Sequence, residues 1–197
     1  MTGRVQRRDA REAVPARDET DAALFEAVAR GDLGPLGVLF DRHHEAVRQF
    51  LLRAAPNASD ADDLVQETFL TAARAATSFD GRDSARPFLI GVAAQLLRRQ
   101  RRTFARFRAL LDAFAVAPAS LPRTPEEATG VAEDDAALRA AIARLSDDRR
   151  LALVMVEFHG MSGADVARAL DRPVGTVWRL LHEARAELRL KLGRGMS

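Results

Sequence analysis

Carboxylates are concentrated in the stretch DADDLVQETFL, at Asp60, Asp62, Asp63 and Glu67. Paired carboxylates can bind a metal ion or act as a general acid and base. No glycine-rich phosphate loop and no converging His or Cys ligands accompany them, and the adjacent His43 and His44 would point in different directions on a helix. These observations argue against an enzyme that uses these carboxylates. The carboxylates form either a solvated helix face or a surface that docks a partner.

Arginines form a second concentration of charge in RRQRRTFARFR, with no acid between Arg98, Arg99, Arg101, Arg102, Arg106 and Arg108. A run of this kind is most often a solvated face. It could also hold nucleic-acid backbone, while a nearby aromatic side chain such as Phe79 accepts an unstacked base. Composition leaves both interpretations open.

The stretch DRPVGTVWRLLHEAR interrupts a helical pattern and then resumes it, which is typical of a helix-turn-helix. Asp171 stands at the turn, where Asp tolerates the left-handed region. Helical spacing predicts one buried face on the second helix, made of Val174, Val177, Leu181, Ala184 and Leu188. The opposite face carries Gly175, Arg179 and His182, which places donors where a recognition helix meets base edges. Trp178, at the border, either seals the core or packs against DNA.

Helices are predicted to hold all of these groups, because apolar residues recur at helical intervals almost throughout. Two helices flank a break at residues 31–35, and a third spans residues 60–76 with Ser59 and Asp62 as a capping box. A helix that begins with Phe88 carries the arginines. The C-terminal part is predicted to hold helices near residues 135–145, 147–159, 163–170 and 173–191, with Ser146 and Ser162 as N-caps. We expect an all-α protein.

Composition further narrows the kinds of protein to which this chain can belong. The chain has 197 residues, 47% of them hydrophobic, which suits a packed core, and a net charge of only +2. It has no cysteine, which excludes disulfides and thiolate metal sites. No stretch has the length and apolarity of a signal peptide or a membrane span, so we expect a cytoplasmic protein.

Charge and proline content predict two small domains joined by a flexible linker. Residues 1–20 are predicted to be a disordered tail and residues 21–103 the first domain. Residues 104–134 hold three prolines and excess acid and form the linker. Residues 135–192 form the second domain, with the helix-turn-helix, and residues 193–197 a short tail.

Two blocks of this sequence resemble the bacterial RNA polymerase sigma factors of the small extracytoplasmic-function (ECF, group IV) subfamily. DADDLVQETFLTAARAATSFDG is similar to the polymerase-binding helix of the first sigma domain and its following loop. The segment from LRAAIARL to LRLKL is similar to the second sigma domain. The blocks occur in the expected order and cover about residues 21–103 and 135–192.

The resemblance implies three binding surfaces. The clamp helices of the largest subunit of core RNA polymerase would contact Asp60, Asp62, Asp63, Gln66, Glu67 and Phe69. The minus-ten element, with one base flipped out, would contact Phe79, Asp80, Gly81, Arg82, Asp83, Ser84, Arg86, Phe88, Gln95, Arg98, Arg99, Arg101 and Arg102. The minus-thirty-five element would contact Arg172, Thr176, Trp178, Arg179, His182 and Arg185.

The resemblance also implies what the protein works with. Its partners would be core polymerase, promoter DNA and an anti-sigma factor, with no cofactor, no metal and no enzymatic activity of its own. It would be associated with the nucleoid when bound to polymerase. The sequence departs from the family at Phe88, usually Trp, at Gln95, usually Asn, and at GTVWRLLHEAR, commonly GTVKSRLHRAR. The alternative is a stand-alone helix-turn-helix regulator that does not bind core polymerase.

Overall fold

The computed structural model describes residues 19–55, 61–81, 83–113 and 133–193, and every regular element within these ranges is helical. The all-α prediction is therefore confirmed for this part of the chain. The predicted tail up to residue 18, the Ser59 cap, residues 114–132 of the predicted linker and residues 194–197 lie outside the described ranges. No described helix is long and apolar enough to cross a membrane.

The first domain consists of α1 (Asp21–Ala29), α2 (Gly34–Ala54), α3 (Ala61–Arg74), a 3₁₀ turn (Ala76–Ser78) and α4 (Arg86–Ala113). Thr20 caps α1, because its side chain accepts a hydrogen bond from Ala23 N at 3.2 Å. Gly31 separates α1 from α2 with φ +96°, a backbone conformation that favours glycine. α4 continues past residue 103, where the linker was expected to begin.

The second domain consists of α5 (Glu133–Ala143), α6 (Asp147–Leu153), a π-helical turn (Val154–Phe158), α7 (Gly163–Leu170) and α8 (Val174–Gly193). The sequence predicted one regular helix over residues 147–159, and the π turn is an addition that hydrophobic spacing does not reveal. Ser162 caps α7 and donates a hydrogen bond to Asp165 Oδ2 at 2.7 Å. Ser146 has an extended backbone before α6, but its side chain makes no capping hydrogen bond.

The buried apolar side chains form one cluster that runs through both domains. The predicted core positions Leu24, Leu39 and Phe50 are fully buried, as are Val177 and Leu181 in the second domain. The two domains share this core because α7 packs directly against α4. The surfaces that were predicted to bind separate partners therefore lie close together.

Candidate protein-binding and DNA-binding surfaces

The first candidate surface lies on α3. Asp62 and Asp63 occupy its first turn, where the helix dipole favours negative charge, and Gln66 and Glu67 follow one turn later. All four side chains are exposed. Asp62 accepts a hydrogen bond from Arg48 Nε at 3.2 Å, whereas Asp63 and Glu67 make no ion pair with the residues that the structure describes.

Two neighbouring apolar residues on α3 differ from the sequence prediction. Phe69 was predicted to face polymerase, but it is 3% exposed and packs against Phe40 with ring centroids 4.9 Å apart. Its position, four residues after the buried Val65, already indicated the core. Leu70 is 54% exposed, and the sequence did not single it out as a candidate contact residue. We define the acidic surface as Asp62, Asp63, Gln66, Glu67 and Leu70; Asp60 lies outside the described residues.

The second candidate surface begins with the loop at residues 79–85, which joins the 3₁₀ turn to α4. Its exposed residues are Asp80, Gly81, Asp83 and Ser84. Gly81 has φ +70°, so a side chain at this position would strain the loop. Arg82 lies outside the described residues. The loop thus exposes short polar side chains and, at Gly81, the backbone to solvent.

An aromatic cluster fixes both flanks of this loop. Phe79 lies 4.7 Å from Phe25 and 5.4 Å from Phe88, measured between ring centroids, and Phe25 and Phe88 pack edge to face at 5.4 Å. Phe25 is fully buried, while Phe79 and Phe88 are half-buried. The two residues predicted to face DNA therefore offer only part of their rings to a base.

The arginines of α4 fall into two groups. Arg98 donates to Leu170 O at 2.6 Å and lies 3.7 Å from Asp148 Oδ1, so it reaches into the second domain. Arg101 also bonds the second domain, at Asp147, and donates to Ala54 O at 2.8 Å. Arg99 and Arg102 are exposed. Of the four predicted DNA-binding arginines between residues 98 and 102, two are thus held by the protein itself.

A buried arginine of the second domain strengthens this junction. Arg150 is 3% exposed and donates to Asp147 Oδ1 at 2.6 Å and to Ala143 O at 2.8 Å. Burial, together with the positive charge of Arg101, lowers the pKa of Arg150 to about 10. Asp147 lies between the two cations and compensates their charge at the contact.

Close packing of α4 on α7 depends on small residues. A Cβ built on Gly91 would lie 3.4 Å from Ala169 Cβ. Beside this contact, the exposed Arg168 donates to Asp80 Oδ2 at 2.9 Å, which joins α7 to the loop. A cleft of about 280 Å³ remains between α3, α4 and α7, and Gln95 and Phe88 lie along it. α7 therefore covers much of the α4 face that was predicted to hold the opened strand.

His159, which follows the π turn, makes a further contact between the domains. Arg86 lies with Nη2 3.1 Å from His159 Nδ1, and the His159 ring packs edge-on to Phe50. Burial lowers the pKa of His159 to about 4, and the charges of Arg86 and Arg53 act in the same direction. His159 Nε2 and Arg86 Nε are buried and make no hydrogen bond to the described residues. The junction leaves polar atoms unsatisfied.

The third candidate surface is the helix-turn-helix. Asp171 adopts φ 52° and ψ 56°, the left-handed conformation expected at the turn. A Cβ at Gly163 would lie 2.7 Å from Trp178 Cζ2, so only glycine lets the indole lie against the start of α7. Trp178 remains 52% exposed. It packs at the edge of the core and also presents an open face.

The predicted DNA-facing residues of this motif differ in their exposure and in whether they already form ion pairs within the protein. Arg179 is largely exposed, 3.6 Å from Glu183, and His182 is also exposed. Thr176 is half-buried. Arg172 pairs with Asp148 at 3.1 Å and Arg185 with Glu157 at 2.8 Å. Val174 was predicted to be buried but is 43% exposed; it is the first residue of α8, where the helix has just begun.

Chemistry that needs a metal centre has no preformed site in the described ranges. No group of three or more His, Asp or Glu side chains there could hold a metal ion. The exposed carboxylates of α3 point outward from a convex helix and do not converge.

Comparison with known proteins agrees with this arrangement. The family model described as Sigma-70 region 2 matches residues 39–107, and that of Sigma-70, region 4 matches residues 135–188. The ECF RNA polymerase sigma factor SigM of Mycobacterium tuberculosis is 34% identical over 178 residues, which covers 89% of this chain and 86% of SigM.

Solved structures show the same fold. CnrH, in complex with the cytosolic domain of CnrY, is 25% identical with a TM-score of 0.62, over 89% of this chain and 99% of CnrH. The sigma factor RpoE of Bartonella quintana, in complex with the anti-sigma factor NepR, has a TM-score of 0.60 at 23% identity, over 85% of this chain and 98% of RpoE.

Proposed function

Since this chain belongs to the ECF group of RNA polymerase sigma factors and directs promoter-specific transcription, we propose how its three surfaces divide that work. The acidic surface of α3 binds core polymerase. The loop at residues 79–85 and α4 bind the minus-ten element, and α8 reads the minus-thirty-five element. The family consists of transcription initiation factors that are not enzymes, so binding accounts for the whole activity.

The observation that carries the proposal is the open acidic surface. Asp63 and Glu67 are exposed and make no ion pair within the described ranges, and Leu70 adds an exposed apolar residue one turn further along. Charged groups around an apolar contact are typical of an interface, because they steer association and exclude wrong partners. The clamp helices of the largest polymerase subunit are the partner proposed for this surface. A stand-alone regulator would have no use for it, and the match to region 2 does not favour that alternative.

Capture of a minus-ten base is proposed for the loop. A flipped base loses a few kcal/mol of stacking and pairing, which contacts in a preformed site must offset. The rigid aromatic flanks at Phe79 and Phe88 support a preformed loop. Exposed Arg99 and Arg102 would then contact the phosphates of the opened strand.

Full engagement of that strand requires the two domains to separate. Arg98 and Arg101 bond to α7 and α6 in the structure, and α7 lies over the α4 face. We assign the structure to a closed form in which polymerase can reach α3 while the strand cannot reach all of α4. The unsatisfied polar atoms at the junction, His159 Nε2 and Arg86 Nε, favour such separation.

Recognition of the minus-thirty-five element is proposed for the start of α8. Arg179, His182 and the open face of Trp178 are exposed there, and the helix N-terminus favours nearby phosphate. Arg172 and Arg185 have ion-pair partners within their own domain, so they would exchange an internal contact for a DNA contact.

An anti-sigma factor is proposed as the regulator, because a structural neighbour is a sigma factor in complex with one. Such a partner would act by covering the acidic surface or by holding the domains closed. The site of action would be the cytoplasm, with the protein on the nucleoid when polymerase is bound.

Run-off transcription tests the proposal. Purified core polymerase is incubated with and without this protein on genomic fragments that include its own upstream region. We expect promoter-specific transcripts only when the protein is present. DNA binding without polymerase binding or transcripts would contradict the proposal and favour the stand-alone regulator.

A further inference from the structure

A buried carboxylate outside the predicted binding surfaces connects three parts of the first domain. Asp21, the first residue of α1, is 5% exposed. Its Oδ1 accepts from Arg42 Nη1 at 2.9 Å. Its Oδ2 lies 2.7 Å from His43 Nε2 and accepts from Ala85 N at 2.8 Å. One side chain thus links α1 to α2 and to the end of the loop at residues 79–85.

The contact with Ala85 fixes the point where the loop becomes α4. Ala85 is fully buried, and its carbonyl oxygen accepts from Leu89 N at 2.9 Å, in the first turn of α4. The N–H of a residue at this position has no partner inside the helix, so a side chain must supply one. Asp21 supplies it from 64 positions away in the sequence.

Both ends of the loop are held by the same face of α1. Asp21 and Phe25 are four residues apart, so their side chains lie one above the other on the helix. Phe25 packs on Phe79, where the loop begins, and Asp21 bonds Ala85, where it ends.

The carboxylate is held in its charged form. Burial acts to raise the pKa of Asp21, but the hydrogen bond from Ala85 and the interactions with Arg42 and His43 outweigh it and keep the pKa below its usual value. A charged acceptor makes shorter and stronger hydrogen bonds than a neutral one, so the anchor is stiff.

We propose that Asp21 is a positioning residue for base selection: through the N–H of Ala85 it fixes the exposed loop residues Asp80, Gly81, Asp83 and Ser84 relative to α4. This inference rests on the proposed role of the loop in minus-ten recognition. Asp21 itself is buried and does not touch DNA. It acts by limiting how far the loop can shift when a base enters.

A purely structural role makes a different prediction. A buried ion pair that only holds helices together would, when removed, lower the amount of folded protein and reduce binding to all promoters equally. A positioning role changes the preference among bases at one position, while the affinity for core polymerase stays the same.

The experiment uses holoenzyme reconstituted from core polymerase and the full chain. Promoter fragments with a single-stranded minus-ten element, randomised at one position at a time, are selected for binding. A correct base is worth roughly 1–3 kcal/mol, a preference of about fivefold or more. We expect Asp21→Asn to reduce it to below about twofold at one position and to leave the others and core affinity unchanged. The matched control is Glu26→Gln, which removes an exposed charge from the same helix.

Variants of the loop residues distinguish failure of the proposed loop function from failure of the positioning role of Asp21. Asp80→Ala and Asp83→Ala identify the position that the loop reads. If neither variant changes any preference, the proposed loop function fails, and this inference fails with it. If they change a preference that Asp21→Asn leaves intact, only the positioning role of Asp21 is overturned.

A second variant covers the case in which Asp21→Asn does not fold. His43→Ala keeps the bond from Ala85 to Asp21 but removes one side chain that holds the carboxylate. We expect a smaller loss of preference at the same position. Unchanged preference in folded His43→Ala, with Asp21→Asn unfolded, would reassign Asp21 to a purely structural role.

Discussion

Two charged faces of the first domain, one on α3 and one on α4, differ in their contact with the second domain. The acidic surface on α3 is open to solvent. The face of α4 that carries Arg98 and Arg101 is bonded to α6 and α7. Each is a concentration of like charge, which by itself left a solvated face and a binding surface open, and the family resemblance assigned each to a partner. Only one of them is available in the closed form.

Packing and charge both account for this difference. Small residues at Gly91 and Ala169 let α4 and α7 approach closely. The second domain offers carboxylates at Asp147 and Asp148, which match arginines and would repel the acids of α3. The second domain therefore covers the basic face of α4, to which it presents the opposite charge, and leaves the acidic surface of α3 open.

Polymerase and promoter therefore need not have equal access to the free protein. With the roles proposed above, polymerase would reach α3 in the closed form, whereas the opened strand would require α7 to leave α4. Binding energy from polymerase can then favour the open form, provided that polymerase binds this form more tightly. Four changes test the two sides of this comparison.

Charge reversal on α3 should have the largest effect. Asp63→Arg with Glu67→Arg places like charges against the partner, which costs several kcal/mol, about a hundredfold in affinity for core polymerase. The matched control is Asp41→Arg with Glu45→Arg, two exposed acids at the same spacing on α2. Equal losses for both pairs, measured by titration with labelled protein, would show that total charge and not this surface matters.

Overpacking at Gly91 should open the closed form. At Gly91 a Cβ alone would already contact Ala169 Cβ at 3.4 Å, so the two further methyl groups of Gly91→Val are expected to overpack the α4–α7 contact, which costs about 1–3 kcal/mol. We expect a larger radius of gyration by small-angle X-ray scattering and tighter binding of minus-ten single strands. Gly37→Val is the control, because Gly37 is exposed and a Cβ there meets nothing within 4 Å. An unchanged radius for Gly91→Val would contradict the closed form in solution.

Acidification should weaken the closed form through His159. Burial, together with the charges of Arg86 and Arg53, lowers its pKa to about 4 in the closed form, and separation of the domains should return the pKa towards its ordinary value of 6.5. Because the closed form binds this proton less readily, it loses stability as the pH falls from 6.5 towards 4. The fraction of open protein should rise over this window by scattering. His159→Gln should remove that part of the pH dependence, and an identical profile would exclude His159.

The pair between Arg168 and Asp80 should have the smallest effect. Both side chains are substantially exposed, at 56% and 41%, so the pair is screened by solvent. A double-mutant cycle with Arg168→Ala and Asp80→Ala should give a coupling of roughly 0.2–1 kcal/mol for closure, reduced further by salt. A coupling of several kcal/mol would mean that this pair, and not the α4–α7 packing, holds the domains together.

Much of the fold follows from local patterns in the sequence. Helical spacing predicted the buried face of α8 from Val177 to Ala184, and the tolerance of Asp for the left-handed region predicted the turn at Asp171. Ser162 and Asp165 predicted the start of α7. These features depend on residues close together in the chain, where spacing carries the information.

The rest depends on contacts between distant residues. The pattern placed Arg98 and Arg101 on one basic helix, but not the carbonyl of Leu170 or the carboxylate of Asp147 against them. Asp21 gave no signal, because its partners lie 21, 22 and 64 positions away. Phe69 was assigned by resemblance against its own helical position, and there the local pattern was the better guide.

Separation of the domains on the polymerase is the central claim, and a distance measurement tests it directly. The chain has no cysteine, so Thr77→Cys in the 3₁₀ turn of the first domain and Ala164→Cys in α7, both at exposed positions, can carry a pair of fluorescent dyes that reports the distance between the domains. We predict high transfer efficiency in the free protein and a clear fall when core polymerase and promoter are added. Unchanged efficiency in a complex that makes specific transcripts would contradict the account.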